Sequence, residues 1–312
     1  MLSCHPNTTH LGLREDKDWD LLHAASEGDL QKAERALQEG ADIATKGEQE
    51  GNDAAYTPLH YACEKNHKKV VKYLLERQVD ANAVTARGRT PLHCACMAGH
   101  LEMVQLLKEH GVDMNQKDKI GGTPMHYAAA AGCLAIIQYL EKDISIGVET
   151  NDKSTPIHIA AAQGRLEVVK YLYEKDMGCL QHKNQWGMPP LHYAVFGKQE
   201  EVVKFLSQVD NVSSFINLQT NEGSTALHLA VSKGDEKSVR ALVEAGVNTR
   251  ITNNQRVTPL AIAEKKGPPK IALMLLAAQS SHSAETATTS CKRRNPMRKC
   301  RRGSAQETSA TG

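Results

Sequence analysis

The seven residues TPLHYAC at 57–63 decide the fold, because the same phrase returns six more times along the chain. The copies are TPLHCAC at 90–96, TPMHYAA at 123–129, TPIHIAA at 155–161, PPLHYAV at 189–195, TALHLAV at 225–231 and TPLAIAE at 258–264. An eighth and more divergent copy, LLHAASEGDL, occupies residues 21–30. The Gly, Asn or Lys that follows each copy recurs at steps of 32 to 38 residues. The chain is therefore an array of eight small units, numbered 1 to 8 in chain order.

Each copy predicts a short helix followed by a longer one. Thr is a good N-cap, and Pro fits the first helical position, where no backbone N–H is needed. Small residues follow, and a Gly ends the helix. The second helix carries apolar pairs on one face, as in Val70-Val71 and Leu74-Leu75. No unit of this size buries its apolar face alone, so we expect the units to stack into one continuous core.

This repeat resembles that of the ankyrin-repeat family over residues 15–279. The resemblance implies an all-α repeat solenoid of eight stacked helix–turn–helix units with β-hairpin fingers, in which the first and last units act as caps. Residues 1–14 are predicted to be a flexible N-terminal extension. Residues 280–312, rich in Ser and Thr and without apolar periodicity, are predicted to be a disordered basic tail.

Composition excludes several classes of protein. Hydrophobic residues make up 40% of the 312 residues, which is typical of a globular protein and not of a disordered one. No uncharged apolar run is long enough to span a bilayer, and the first residues lack the apolar core of a secretory signal. We expect a soluble intracellular protein in the cytoplasm, the nucleus or both. An elongated monomer is the default expectation.

Fourteen His and eight Cys raise the question of a metal or catalytic site. Six His residues occupy one repeat position, at 60, 93, 126, 158, 192 and 228. The resemblance implies that each imidazole braces the next finger, and at about 10 Å apart they would be too distant to share an ion. No CxxC, phosphate-binding loop, HExxH or GxSxG occurs. We therefore predict no metal, no cofactor and no enzymatic activity.

The resemblance also implies which residues contact a partner. In this family, variable positions on the fingers and first helices line a concave surface. The corresponding candidates with aromatic, Arg, Met or branched apolar side chains are Tyr56, Arg87, Arg89, Met97, Ile120, Trp186, Met188 and Phe196. Unit 6 stands out because Trp186 is one of two Trp and Phe196 is one of three Phe. Aromatic residues, Met and Arg are enriched in binding hot spots. The alternative is that Trp186 packs on its own finger.

Two junctions between units are unusually long, at 44–55 and at 207–218. Each is either a contact element or a tolerated loop insertion.

The tail concentrates positive charge. From Ser280 onward there are seven basic residues against two Glu, which leaves 31 basic and 34 acidic residues in the rest of the chain. The basic residues are Lys292, Arg293, Arg294, Arg298, Lys299, Arg301 and Arg302. They resemble a nuclear import signal, with a solvated charge run or contact with nucleic acid or anionic lipid as alternatives. Ser304 follows Arg301-Arg302-Gly303 and resembles the acceptor of a basic-directed kinase, so phosphate there would weaken an electrostatic partner.

The sequence therefore predicts a non-catalytic scaffold or adaptor that binds other proteins on a concave face and acts in signalling or regulation. Two alternatives remain open. One is a nuclear or transcriptional regulator whose basic tail serves import or contacts nucleic acid. Nucleic acid is expected to bind only the tail and not the repeats. The other is the soluble ankyrin part of a larger channel or acyltransferase.

Overall fold

In the computed structural model, residues 16–49 and 53–280 are described, and they form sixteen α-helices and one two-stranded ladder. The first helices of the units are α1 Asp16–Glu27, α3 Pro58–Glu64, α5 Pro91–Ala98, α7 Pro124–Ala131, α9 Pro156–Ala162, α11 Pro190–Phe196, α13 Ala226–Ser232 and α15 Pro259–Lys266. The second helices are α2 Leu30–Gln38, α4 Lys68–Glu76, α6 Leu101–Glu109, α8 Leu134–Leu140, α10 Leu166–Lys175, α12 Glu200–Leu206, α14 Glu236–Glu244 and α16 269–280.

The units stack as a solenoid. Each first helix packs on the next, from α1 against α3 through to α13 against α15, and in units 1 to 7 it also packs on the second helix of its own unit. One apolar cluster runs without a break from Ala25 to Leu275, and a small satellite cluster lies inside unit 1 around Leu21. Val70, Val71 and Leu74 are fully buried, so the apolar face of the second helix lies in this core as the repeat predicts.

The backbone follows the Thr-Pro-Leu-His pattern. The Thr N-caps are extended, the next residue begins the helix, and the position six residues after the His turns back with positive φ in most units. Gly99 and Gly132 have φ near +82° there, a conformation that costs Gly little because it has no Cβ. Asn66 and Lys198 adopt the same conformation at φ of 64° and 55°.

The fingers differ from the expected β-hairpins. Only the finger of unit 2 is a strand pair among the described residues, with β1 Gly47–Gln49 antiparallel to β2 Asp53–Tyr56 and a bulge at Gly47/Glu48. The fingers of units 3 to 8 are five-residue turns at 85–89, 118–122, 150–154, 184–188, 220–224 and 253–257. Five residues close one turn but leave too few for a ladder. A single bridge, Gln219 to Thr225, flanks the finger of unit 7.

The long junction at 207–218 is packed rather than projecting. It contains a 3-10 turn at Val212–Ser214, and the side chains of Phe215 and Ile216 are 1% and 2% exposed. These two residues join the main core, which favours the loop-insertion interpretation for this segment over a contact element.

Candidate binding surface

The five-residue fingers share one hydrogen-bond pattern. In each, the first backbone N–H donates to the fifth carbonyl, as Asn184 N does to Met188 O at 3.1 Å. A side-chain oxygen of the first residue accepts from the fifth backbone N–H, as Asn184 Oδ1 does from Met188 N at 3.0 Å. Thr, Asp and Asn occupy the first position in all six, because each supplies an acceptor that closes a turn. The fingers are therefore rigid platforms for the residues at their tips.

Successive fingers are linked to each other through the backbone. Gln185 N donates to Asp152 O at 2.8 Å, and Asn221 N donates to Trp186 O at 3.0 Å. Equivalent bonds join Lys119 N to Arg87 O at 3.0 Å and Asn151 N to Ile120 O at 2.9 Å. The tip residues of neighbouring units are thus held in fixed register along the array.

The repeated histidine joins each first helix to the next finger. His126 Nε2 lies 3.1 Å from Ser154 O, and Nδ1 lies 3.2 Å from Thr123 N and 3.0 Å from Thr123 Oγ1. A carbonyl oxygen only accepts, so Nε2 carries the proton and Nδ1 is the acceptor. The same geometry recurs at His60, His93, His158 and His228. This agrees with the bracing role that the family resemblance implies.

Burial keeps these imidazoles neutral. It lowers the pKa of His126, His158 and His192 to about 4, and it lowers the pKa of His93 and His228 below its usual value. The cause is the loss of water around a charged ring, which outweighs the favourable hydrogen bonds to backbone carbonyls.

Unit 6 lacks half of this arrangement. Pro189 replaces the N-cap Thr, so it offers neither a hydroxyl nor a backbone N–H. His192 still lies 3.2 Å from Ser224 O through Nε2, but its buried Nδ1 has no hydrogen-bond partner in the described part of the chain. Buried polar atoms are seldom left in this state, because each unmade bond is costly.

The structure exposes most of the predicted contact residues. Trp186 is 48% exposed, Phe196 59%, Ile120 68% and Met97 37%. Arg87 is exposed, and Arg89 and Met188 are half-buried. They lie on the fingers and first helices of units 3 to 6. We call these seven residues the finger–helix face.

The prediction that Tyr56 contacts a partner was wrong. Its side chain is 1% exposed, so it belongs to the core and not to the contact surface. The ring lies beside His60 and Tyr61, at centroid distances of 5.3 and 5.2 Å, and its hydroxyl accepts from the Cys94 thiol at 3.6 Å. Burial raises the pKa of the phenol well above its usual range.

Contacts within the finger–helix face join fingers to helices. The Arg89 guanidinium on a finger donates to the Met97 sulfur on α5 at 3.5 Å, and it lies 5.9 Å from the Tyr56 ring. The Phe196 ring on α11 carries the Lys233 ammonium of unit 7 at 3.8 Å from its centroid, which is a cation–π contact. The first contact joins a finger to the first helix of its own unit, and the second joins the first helices of units 6 and 7.

Trp186 occupies the tip of the finger of unit 6. Its backbone is fixed on both sides, because its N–H donates to Asn184 Oδ1 at 3.0 Å and its carbonyl accepts from Asn221 N. Within the described residues, the indole ring makes no aromatic or cation contact of the kind seen at Phe196. A large apolar ring is thus presented on a rigid backbone with about half of its area open to solvent.

The sequence analysis did not predict five exposed large apolar residues, which are Trp19, Val84, Met177, Leu273 and Leu276. Trp19 on α1 is exposed and stacks on His23 at a centroid distance of 4.7 Å, beside a groove of about 280 Å³ in the first cap. Leu273 and Leu276 on α16 are exposed on the outer face of the last cap. The signal was present, since IALMLLAA at 271–278 has apolar residues on all sides of the helix.

Other predicted features fall outside the described residues. The seven basic tail residues and Ser304 lie in 281–312, as the N-terminal extension lies in 1–15. Within the described part, no disulfide joins Cys63, Cys94, Cys96, Cys133 or Cys179, and burial raises the pKa of Cys63 and Cys96. No group of three or more His, Cys, Asp or Glu in residues 16–49 and 53–280 is arranged to hold a metal. Among the same residues, every helix is too short or too polar to cross a membrane.

Comparison with protein-family models gives matches to ankyrin repeats. One model, described as "Ankyrin repeats (3 copies)", matches residues 77–150, 142–215 and 209–286. A second, described as "Ankyrin repeats (many copies)", matches residues 37–95. Together these matches cover well over half of the chain.

Curated relatives share only part of their length with this chain. Human ankyrin repeat and SOCS box protein 3 is 38% identical over 74 residues, which is 24% of this chain and 14% of that protein. Mouse ankyrin repeat domain-containing protein 40 is 35% identical over 22% of this chain and 18% of that protein. Zebrafish Notch-regulated ankyrin repeat-containing protein B is 35% identical over 26% of this chain and 72% of that protein. The match thus spans less than a fifth of the first two relatives.

A solved structure has the same fold. The human ASB11 ankyrin repeat domain superposes with a TM-score of 0.61 at 24% identity, covering 72% of this chain and 98% of that one.

Proposed function

The chain belongs to the ankyrin-repeat family, and we propose that it is a non-catalytic scaffold that binds a partner protein through its concave finger–helix face. Ankyrin-repeat proteins generally mediate protein–protein interaction, and one scaffold serves unrelated partners, so the site and not the fold carries the specific claim. The observation that carries it is the pair of exposed aromatic side chains, Trp186 and Phe196, on the finger and first helix of a single unit.

The physical argument rests on pre-organisation. Binding hot spots are rigid aromatic or Arg side chains that lose little conformational freedom when they become buried. The backbone of Trp186 is fixed by hydrogen bonds to Asn184 of its own finger and to Asn221 of the finger of unit 7. The Arg89 side chain lies between Met97 and the Tyr56 ring. The solvent-exposed part of such a ring adds no hydrophobic stabilisation to the free protein, so stability alone does not explain its position.

Affinity capture from nuclease-treated lysate tests the proposal. Full-length protein is compared with Trp186→Ala, with Phe196→Ala and with Met177→Ala as the matched control. Met177 is 63% exposed but lies in the 3-10 turn Met177–Gln181, outside the finger–helix face. We expect wild type and Met177→Ala to capture the same discrete proteins, and Trp186→Ala to lose them with an unchanged melting temperature.

Two results contradict the proposal. If Trp186→Ala captures the same proteins as wild type, the finger–helix face does not carry binding. If Trp186→Ala instead melts at a lower temperature and still binds, the indole is local packing on its own finger.

A second candidate function rests on the basic residues between Lys292 and Arg302. We propose that this segment acts as a nuclear import signal and sets where the scaffold works. Replacing its seven basic residues with Gln should move the protein from nucleus to cytoplasm without altering capture by the repeats. An unchanged distribution contradicts this role. Salt-dependent nucleic-acid binding that disappears in the same variant would favour a tail that contacts nucleic acid.

A further inference from the structure

We propose that the partner segment seated on the finger–helix face is an acidic peptide that carries large apolar side chains. This inference rests on the proposed function and specifies the chemistry of the partner. It follows from the distribution of charge between the two sides of the array.

The fingers of units 3 to 5 are cationic. Arg87, Lys119 and Lys153 lie exposed at or near the tips of three successive fingers, and Arg89 lies half-buried behind Arg87. Lys119 and Lys153 form no ion pair within the described residues. These cations stand out because the chain before the tail has slightly more acidic than basic residues.

The two carboxylates of these fingers are already used internally. Asp118 is 8% exposed and accepts from Ile120 N, Gly122 N and the Tyr127 hydroxyl at 2.6 to 2.9 Å. Asp152 is half-buried; burial alone would raise its pKa, but hydrogen bonds from Thr150 and Ser154 outweigh this effect and lower it. Neither carboxylate forms an ion pair with Lys119 or Lys153, and the three fingers carry four basic residues against these two acidic ones.

The second helices show the opposite arrangement. There, lysines are paired with carboxylates of the adjacent unit. Lys175 Nζ lies 3.1 Å from Glu141, Lys237 lies 2.6 Å from Glu200, and Lys108 pairs with Asp143. The fingers therefore carry lysines that form no ion pair in the described part of the chain, beside the exposed apolar side chains of the finger–helix face.

Apolar surface continues between these cations and unit 6. Met97, Ile120, Trp186 and Phe196 are exposed, and the first helices between them present Ala130, Ala131 and Ala162 at half-buried positions. Small side chains there leave room for a bound chain. A ligand with carboxylates at one end and apolar side chains at the other matches both features.

The spacing of the units sets the length of the ligand. Packed first helices lie about 8–10 Å apart, and an extended peptide advances about 3.3 Å per residue. Three residues of extended peptide therefore span one unit, and about 12 residues span units 3 to 6. Acidic residues three apart would meet Arg87, Lys119 and Lys153 in turn.

Nucleic acid also carries negative charge, but this face suits it less well. Phosphate binding needs dense Lys and Arg, and base stacking needs a series of aromatic platforms. Aromatic residues make up only 4% of the chain, and the exposed pair Trp186 and Phe196 lies in a single unit.

Peptide display on the immobilised full-length protein tests the inference. Binders are selected from a library of random 12-residue peptides. Fluorescence anisotropy then gives the affinity of the selected peptides for wild type and for four variants. The first is the charge variant Arg87→Glu/Lys119→Glu/Lys153→Glu. Its matched control is Lys72→Glu/Lys142→Glu/Lys204→Glu, which changes the net charge equally but at exposed lysines on or next to second helices. The other two are Trp186→Ala and a tail variant with its seven basic residues replaced by Gln.

We expect the selected peptides to be enriched in Asp or Glu together with aromatic or aliphatic residues. Their affinity should fall at least tenfold in the charge variant and in Trp186→Ala, and it should weaken as salt is raised. The matched control and the tail variant should bind within about twofold of wild type. All four variants should melt at the wild-type temperature.

The other outcomes overturn the inference in distinguishable ways. If the peptides lose affinity for Trp186→Ala but not for the charge variant, the proposed function stands and the inference of an acidic partner is wrong. Acidic peptides lost only in the tail variant bind the tail. A single-stranded oligonucleotide that binds more tightly than the peptides, and is lost in the charge variant, assigns the face to nucleic acid. If no peptide depends on either Trp186 or the charges, both this inference and the proposed binding face fail.

Discussion

At the scale of single residues, the Thr–His pair holds neighbouring units together. The Thr caps its helix and fixes Nδ1 of the His, while Nε2–H reaches a carbonyl of the next finger, as His228 does to Val257 O at 3.0 Å. A proton on Nδ1 would turn that acceptor into a donor facing the Thr N–H, so the bracing contact requires a neutral ring.

This requirement predicts acid sensitivity. The folded pKa of about 4 for His126, His158 and His192 lies below the unfolded value of about 6.5. Between these values the unfolded chain binds more protons, so stability is full above pH ~6.5 and is lost as the pH falls toward 4. At pH 5, each of these histidines should lower the free energy of unfolding by on the order of 1–2 kcal/mol relative to neutral pH.

Urea unfolding at pH 7.5 and pH 5 measures this loss, and ¹⁵N NMR of the imidazoles identifies its source. The buried rings should keep an unprotonated Nδ1 down to pH 5. Buried rings that titrate near pH 6.5 would contradict the account.

Pro189 gives a second prediction at this scale. Pro189→Thr should supply the hydroxyl and N–H that His192 Nδ1 lacks, and it should stabilise the protein by about 1 kcal/mol after the entropic advantage of Pro is subtracted. Pro189→Val is the control, because it restores the N–H but not the hydroxyl. The free energy of unfolding should rank Thr above Val. A Thr variant no more stable than the Val variant would show that the hydroxyl does not reach the ring.

At the scale of elements, the turn between the two helices of a unit limits local stability. Five units place Gly with positive φ there, at positions 28, 99, 132, 164 and 234, whereas unit 6 places Lys198 at φ 55°. A residue with a Cβ in this conformation is strained by roughly 1 kcal/mol. The repeat survives because packing on α9 and α13 outweighs this local cost.

Lys198→Gly should therefore stabilise the protein by about 0.5–1 kcal/mol, as measured by chemical denaturation. Lys198→Ala is the control, since it removes the same charge and stem but keeps the Cβ. A gain in the Ala variant as large as in the Gly variant would place the cost in the Lys side chain rather than in the backbone.

Sequence alone predicted the elements where the repeat is regular. The helices, their caps and the core face followed from periodicity, because each unit repeats the same physical solution. The fingers were less predictable, since strand or turn depends on how many residues are left to pair. The prediction for Tyr56 was wrong because its side chain is buried and its hydroxyl contacts the Cys94 thiol of the next unit, a contact between units that the pattern within one unit does not record.

At the scale of the whole molecule, the array separates stability from recognition. Ion pairs such as Lys237–Glu200 join the second helices, while the fingers carry the exposed Trp186 ring and lysines that form no ion pair in the described part of the chain. The sequence pointed to Trp186 and Phe196 through the register of the repeat. It could not show that the carboxylates of neighbouring fingers accept hydrogen bonds within their own turns, because such bonds, as from Gly122 N to Asp118, are seen only in the folded structure.

Hydrogen–deuterium exchange of the full chain, with and without a bound partner, tests the central claim most directly. It reports which backbone segments become protected and requires no substitution. The account predicts protection of the fingers at 85–89, 118–122, 150–154 and 184–188 and of the first helices α5, α7, α9 and α11, with the second helices α6, α8, α10 and α12 unchanged. Protection confined to the second helices, or to residues 281–312, would contradict it.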